Sequence, residues 1–214
     1  MEQVRVAWQA SLLGWGDCPA ADETFRSLVH IRLDATSWLE HQPAWVRGSD
    51  DLLAELVESV AWSQRRRMMY DREVDEPRLT ARWSAGSDEA LQPTLETMRR
   101  LLSGRYGVEF DSVGLNLYRD GSDSVAWHGD RIDAAIAEPV VALVSLGDTR
   151  RFLVRPRWAR GSSRSFALGH GDLLVTGGRF QREWQHSIPK AASAGARVSL
   201  AFRHGTGEPA LQVP

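Results

Sequence analysis

The sequence predicts an α+β protein, a β-sandwich or jelly roll supported by helices that precede it. Three observations carry this. Two amphipathic helical stretches lie before residue 108. From residue 110 onward, short apolar segments alternate with Gly-containing turns. The 214-residue chain is 43% hydrophobic and 25% charged, which suits one soluble globular domain with a sizeable core.

Residues 1–27 are mixed, with a turn-like "GWGDCPAAD", and receive no element. "LVHIRL" (28–33) alternates like a strand. "SDDLLAELVESVAW" (49–62) predicts a helix. Ser49 or Asp50 is the expected cap, acids fill the first turn, and Leu52, Leu53, Leu56, Val57 and Val60 form the apolar stripe. "SDEALQPTLETMRRLLSGRYG" (87–107) predicts a second helix, with Leu91, Leu95, Met98, Leu101 and Leu102 on its stripe. Gly104 is its expected stop, and Pro93 suits the first turn or a break near it. The expected strands are 112–119, 124–128, 140–146, 150–155, 164–168, 172–176, 183–187 and 197–203. The ending "GTGEPALQVP" (205–214) reads as a loose tail. The units expected are an N-terminal extension (1–61), a connecting segment (62–86), a helix plus β-core (87–204) and the tail.

The formal charge of −2 does not point to nucleic acid, but its distribution does. "TRRFLVRPRWARGSSR" (149–164) holds Arg150, Arg151, Arg155, Arg157, Arg160 and Arg164 and no acid, a stretch suited to phosphates. A single cysteine, Cys18, excludes an internal disulfide and a cysteine-cluster zinc site. No basic leader followed by an apolar run opens the chain, and no run of about 18 apolar residues exists. The expectation is a cytoplasmic monomer with no membrane partner. Nine tryptophans are many. Most are expected in the core, although Trp also suits a surface that must meet a ring.

Two stretches contain His-Gly-Asp: "VAWHGDR" (125–131) and "LGHGDLL" (168–174). A His and an Asp two apart on a strand point to one face and can share a metal ion. Two His and one carboxylate leave three open positions, as in non-haem Fe(II) oxygenases. His186 in "REWQHSIP" supplies the second His. If 172–176 and 183–187 form a hairpin turning near 179, Asp172 lies opposite His186, so spacing alone leaves both pairs open. Local chemistry favours the first. His170 sits between glycines and Asp172 opens an apolar strand, whereas His128 follows the strand "SVAW". Arg197 and Arg203 in "RVSLAFR" share one strand face, with Leu200 and Phe202 on the other. Buried arginines need anionic partners, and a dicarboxylate would suit.

"NLYRDGSDSVAWHGDR", "PVVALVSLG", "HGDLLVTGG", "WQHSIP" and "RVSLAFR" together resemble the AlkB family of Fe(II)- and 2-oxoglutarate-dependent dioxygenases, across roughly residues 76–204. "EPRLTARW" (76–83) resembles the segment ahead of the catalytic core in the DNA-repair branch. The resemblance implies a double-stranded β-helix (jelly roll) core. It puts Fe(II) on His128, Asp130 and His186. It implies that 2-oxoglutarate meets Arg197 at its far carboxylate and Arg203 near the metal, with Asn116 and Tyr118 as further contacts. Ser199 stands where some members carry Asn. O2 is the co-reactant, and an alkyl carbon on a base nitrogen is hydroxylated and leaves as an aldehyde.

The implied partner is DNA, single- or double-stranded, with RNA as a second candidate. Residues 62–86 would form a lid over the damaged base, with Tyr70 and Trp83 as stacking candidates and Arg82 beside them. Arg155, Arg157 and Arg160 are the expected phosphate contacts. Where repair members commonly carry an acid two places after the metal-binding Asp, this chain has Ile132, with Asp133 one place later. An apolar wall there favours an uncharged etheno adduct over a cationic methylated base. The alternatives are the same oxidation on a protein or small molecule, or a nucleic-acid binder that has kept only the fold.

Overall fold

The computed structural model describes Val6 and residues 17–69, 72–158 and 163–206. Tyr70, Arg160 and residues 207–214 of the expected tail lie outside them. The strands are β1 (Ala20–Ala21), β2 (Val29–Arg32), β3 (Ser37–Gln42), β4 (Val46–Arg47), β5 (Arg66–Met69), β6 (Arg72–Asp75), β7 (Leu79–Ser84) and β8 (Ser112–Tyr118). They continue with β9 (Val125–His128), β10 (Val141–Gly147), β11 (Arg150–Pro156), β12 (Arg164–Leu168), β13 (Asp172–Gly178), β14 (Trp184–Ile188) and β15 (Arg197–Arg203). The helices are α1 (Ser49–Ser59), α2 (Pro93–Tyr106) and the single turn α3 (Phe180–Glu183).

Two antiparallel sheets, ordered β2-β3-β13-β10-β15-β8-β7 and β12-β11-β14-β9, hold most of the strands. The central strands of the larger sheet, β13, β10, β15 and β8, are buried on both faces, while its edge strand β2 is exposed. One face packs Leu52, Leu53 and Leu56 of α1 and Leu95, Met98 and Leu102 of α2 against Val113, Leu115, Val144 and Leu200. Each fully buried Leu contributes about 1.5–3 kcal/mol. The other face turns Leu143, Leu174 and Ala201 toward Phe152, Val154 and Ile188 of the smaller sheet. The candidate site lies at the end of this second layer.

Helix α1 begins at Ser49 as expected but with another cap, and α2 begins at Pro93, in the first-turn place expected for that proline, rather than at residue 87. The cap of α1 is Gly48, left-handed at φ 58°, rather than Ser49 or Asp50. A Cβ at Gly48 would lie 2.2 Å from the Asp17 carbonyl, so distant chain fixes this turn. Ser49 instead donates to the Val46 carbonyl. Helix α2 begins at Pro93, where a missing N–H costs nothing, and the Gln92 side chain accepts from Leu95 N. It runs through Gly104 and stops at left-handed Gly107.

The conditional hairpin does not form. β13 lies in the large sheet between β3 and β10, and α3 carries the chain across to β14 in the small one. Asp172 therefore faces His41 at 3.1 Å and accepts from Ala44 N and Gly169 N. His170 accepts from Gly147 N through Nδ1 and lies 3.2 Å from Asp50. That His-Gly-Asp is a structural turn.

Candidate active site

Strand pairing brings His128 of β9 directly opposite His186 of β14. Their rings are 4.2 Å apart, and a ligand atom from each lies within 4.8 Å of the other and of an Asp130 oxygen. Each side chain is aimed by a neighbour. His128 Nδ1 donates to the Ala126 carbonyl at 2.9 Å, which fixes the tautomer and leaves Nε2 as donor to a metal. His186 is stacked on Phe152 at 5.1 Å and lies near Phe180. Arg203 places Nε and Nη2 on Asp130 Oδ1, at 2.8 and 2.6 Å. Asp130 Oδ2 is buried, has no hydrogen-bond partner, and lies 3.8 Å from His186 Nε2.

Protonation follows from burial and charge. Burial pushes His186 down to about 3, with His128 and Arg203 acting the same way against the pull of Asp130. Burial works to raise the Asp130 carboxyl, but Arg203, with His186 and His128, outweighs it and holds it at about 2. Near neutrality His186 is therefore uncharged and Asp130 ionised. With His128 they form a two-imidazole, one-carboxylate donor set with an orphaned oxygen turned inward, which fits Fe(II).

Deeper in the sheet, Arg197 is 1% exposed. Its Nε donates to Ser145 Oγ at 2.8 Å, its guanidinium lies 5.2 Å from the Tyr118 ring, and its Nη1 has no partner. Burial lowers the Arg197 pKa, and burial raises that of Tyr118. A buried cation without a carboxylate, beside a buried phenol, fits one end of a dicarboxylate. Ser145, Ser199, Asn116 and Thr80 are successive cross-strand neighbours, so they form one polar row between Arg197 and Arg203. A Cβ at Gly114 would meet Arg203 Nη1 at 2.6 Å, so that glycine makes room for the guanidinium.

A cleft of about 790 Å³ opens over His128, Asp130, Asn116 and Arg203, a size suited to a small ligand. Arg82 lines it and donates to Ser84 and Thr206. Trp83, one residue on, points to the helix side, packs against the core there and donates to the Glu89 carbonyl. It cannot stack on a base in the cleft. Ile132 is also corrected. It is 8% exposed and packs in the core between the sheets, so it is not a wall of the cleft. Asp133 turns outward, and its carboxylate accepts from Ala135 N. Arg155 lies at 4.1 Å over the ring of Trp127, which lines the cleft, and Arg157 donates to the Gln181 carbonyl; neither arginine lines the cleft itself. Arg150 drops out of the basic stretch. It is 2% exposed and donates to the carbonyls of Asp120, Asp123 and Pro189.

Four residues escaped sequence reasoning. Trp127 lines the cleft beside the first ligand. Arg78 donates to Asn116 Oδ1 at 2.9 Å. Gln181 is buried, accepts from Asp130 N at 2.9 Å and donates to Thr176, which locks the backbone of the metal loop. Arg131, next to Asp130, lines the cleft. Only Trp127 carried a signal, being an aromatic inside the motif.

Comparison with known proteins agrees with this geometry. The profile of the 2OG-Fe(II) oxygenase superfamily matches residues 36–203. Human alpha-ketoglutarate-dependent dioxygenase alkB homolog 3 is 32% identical over 177 residues, 74% of this chain and 62% of that protein. The Arabidopsis thaliana DNA oxidative demethylase ALKBH2 is 35% identical over 136 residues, 53% of this chain and 42% of that protein. The chain thus spans less than two thirds of these relatives. The solved structure of OsALKBH1 superposes with a TM-score of 0.57 at 17% identity, covering 81% of this chain and all of that one. A Pseudomonas putida prolyl-4-hydroxylase gives 0.52 at 19% identity, covering 79% and 93%. At these identities the two structures show the fold alone.

Proposed function

The chain belongs to the 2OG-Fe(II) oxygenase superfamily and, within it, to the AlkB family; from that premise we propose that it oxidatively dealkylates damaged bases in DNA, with RNA as a second substrate polymer. The observation that carries the reading is the convergence of His128, Asp130 and His186 within 4.8 Å around an unpartnered Asp130 oxygen. Bound Fe(II), with 2-oxoglutarate and O2, supplies the oxidation: the cosubstrate leaves as succinate and CO2 while an alkyl carbon on a base nitrogen gains a hydroxyl.

The residues do the rest. His128, Asp130 and His186 hold the metal, and Arg203 keeps one Asp130 oxygen occupied so that the other faces inward. Arg197 and Tyr118 receive the far carboxylate, and Asn116 and Ser199 line the path between the two arginines. A hydroxylated alkyl carbon then separates from the base nitrogen as an aldehyde, and the nitrogen keeps its electron pair; on an etheno bridge the oxygen atom adds across the C=C bond, water opens the epoxide to a diol, and both C–N bonds break to release a dialdehyde. The target base must leave its stack to reach the cleft. Within residues 62–86 the part that forms the lid is the β5–β6 hairpin, since Leu79–Ser84 is strand β7 of the large sheet. Arg155, Arg157 and Arg160 hold the phosphates. Uncharged etheno adducts are the favoured lesions, because among the described residues both carboxylates lining the cleft are paired with arginines.

The test is iron- and 2-oxoglutarate-dependent succinate release with a panel of alkylated oligonucleotides. Stimulation by alkylated but not by unmodified strands is expected. Equal stimulation by peptides or small amines would contradict the reading.

A further inference from the structure

Arg131 directly follows Asp130, is exposed and lines the cleft. Among the described residues it has neither a hydrogen-bond nor an ion-pair partner. The acids near it are committed elsewhere. Only two described carboxylates line the cleft. Glu76 is paired with Arg78 at 2.9 Å, and Asp130 is held by Arg203. Asp133 faces away and binds Ala135 N. The other charged groups on the wall are Arg65, Arg82 and Lys190, all cationic.

We infer that Arg131 makes this site select uncharged alkylated bases over cationic ones. The inference rests on the base-dealkylation reading above and adds the residue that sets the charge preference. Among the described residues, a cationic base entering the cleft meets a free guanidinium and no free carboxylate, so it is repelled where a neutral base of the same shape is not. Charge, rather than size, is the criterion. N3-methylthymine and N3-methylcytosine are close in size, but the first is neutral and the second cationic. N1-methylguanine and N1-methyladenine form a second such pair.

The experiment measures single-turnover rates of the iron-loaded protein on oligonucleotides carrying each of the four bases. Equilibrium binding of the same strands to the metal-free protein is a second readout. Wild type should favour the neutral member of each pair by about tenfold, the order expected for one like charge across a half-solvated cleft. The preference should shrink as salt rises. Arg131→Glu should invert it, Arg131→Gln should flatten it, and Arg131→Lys should keep it. A wild-type preference for the cationic members would overturn the inference and leave dealkylation standing. Equal slowing of both members in Arg131→Glu and Arg131→Gln would also overturn it, since a phosphate-binding residue behaves that way. If none of the four bases is repaired, and an ethenoadenine strand run beside them is not repaired either, while 2-oxoglutarate is still consumed, the base-dealkylation reading fails and this inference falls with it; repair of ethenoadenine alone would overturn the charge criterion and leave dealkylation standing.

Discussion

Arg203 sets two guanidinium nitrogens on the same oxygen of Asp130, Oδ1, and leaves Oδ2 facing His186. A guanidinium that gripped both oxygens would compete with a metal for them. Gripping one orients the other. Removing Arg203 should therefore weaken the metal site through Asp130 alone. Arg203→Ala should lose about 10- to 100-fold in Fe(II) affinity, the usual scale for an outer partner of a ligand. Anaerobic metal titration checks this, and unchanged affinity would show that Asp130 is held by other contacts.

Gln181 acts on the same ligand through the backbone. Its Oε1 takes the Asp130 N–H, and its Nε2 reaches Thr176. Gln181→Leu leaves a buried N–H without a partner, which costs about 1–3 kcal/mol. The expected result is a lower melting temperature together with weaker metal binding. Gln181→Glu should restore much of the metal affinity, because it keeps the acceptor.

The two His-Gly-Asp stretches separate cleanly. His128→Ala should abolish metal binding. His170→Ala should leave it intact and destabilise the fold, because Gly147 N loses its acceptor. Metal titration and thermal melting of both variants decide the assignment.

The first stretch had a readable signal, the strand "SVAW" running into it. Other parts did not. Eight strands after residue 110 alternate clearly, and all eight form within a residue or two of their expected bounds. Strand β3 was invisible because its buried Ser37 and Gln42 owe their burial to β13, more than 130 residues away in sequence. The Gly48 cap depends on contact with Asp17 and Cys18, again non-local. Arg197 and Arg203 were placed on one face by parity alone, and the sheet agrees. The same parity shows why Arg82 and Trp83 cannot both face the cleft. The loop after Asp130 has no period to read, so Ile132 and Arg131 were told apart only by packing.

Arg197 offers a test whose sign distinguishes a ligand site from a structural one. A buried cation with no anionic partner costs stability, so Arg197→Met should melt no lower than wild type in the absence of cosubstrate. Wild type should gain about 2.7 kcal/mol from 2-oxoglutarate at a hundred times its Kd, and the variant should gain none. A variant that simply unfolds would mark Arg197 as structural.

The basic stretch is smaller than it looks, since Arg150 is spent on three carbonyls. Replacing Arg155, Arg157 and Arg160 with Ala should weaken oligonucleotide binding regardless of sequence. It should reduce the salt slope by about one for each phosphate no longer neutralised. Metal-dependent consumption of 2-oxoglutarate without DNA should persist. An unchanged slope would remove the stretch from the nucleic-acid surface.

The most direct test of the whole account is stoichiometry. Iron-loaded protein, 2-oxoglutarate, O2 and an oligonucleotide with one N3-methylthymine are mixed under single-turnover conditions. Succinate, formaldehyde and restored thymine are then counted. The account predicts equal amounts of all three, and none of them from His128→Ala. Succinate released without formaldehyde or thymine, at a rate that the oligonucleotide leaves unchanged, would contradict it.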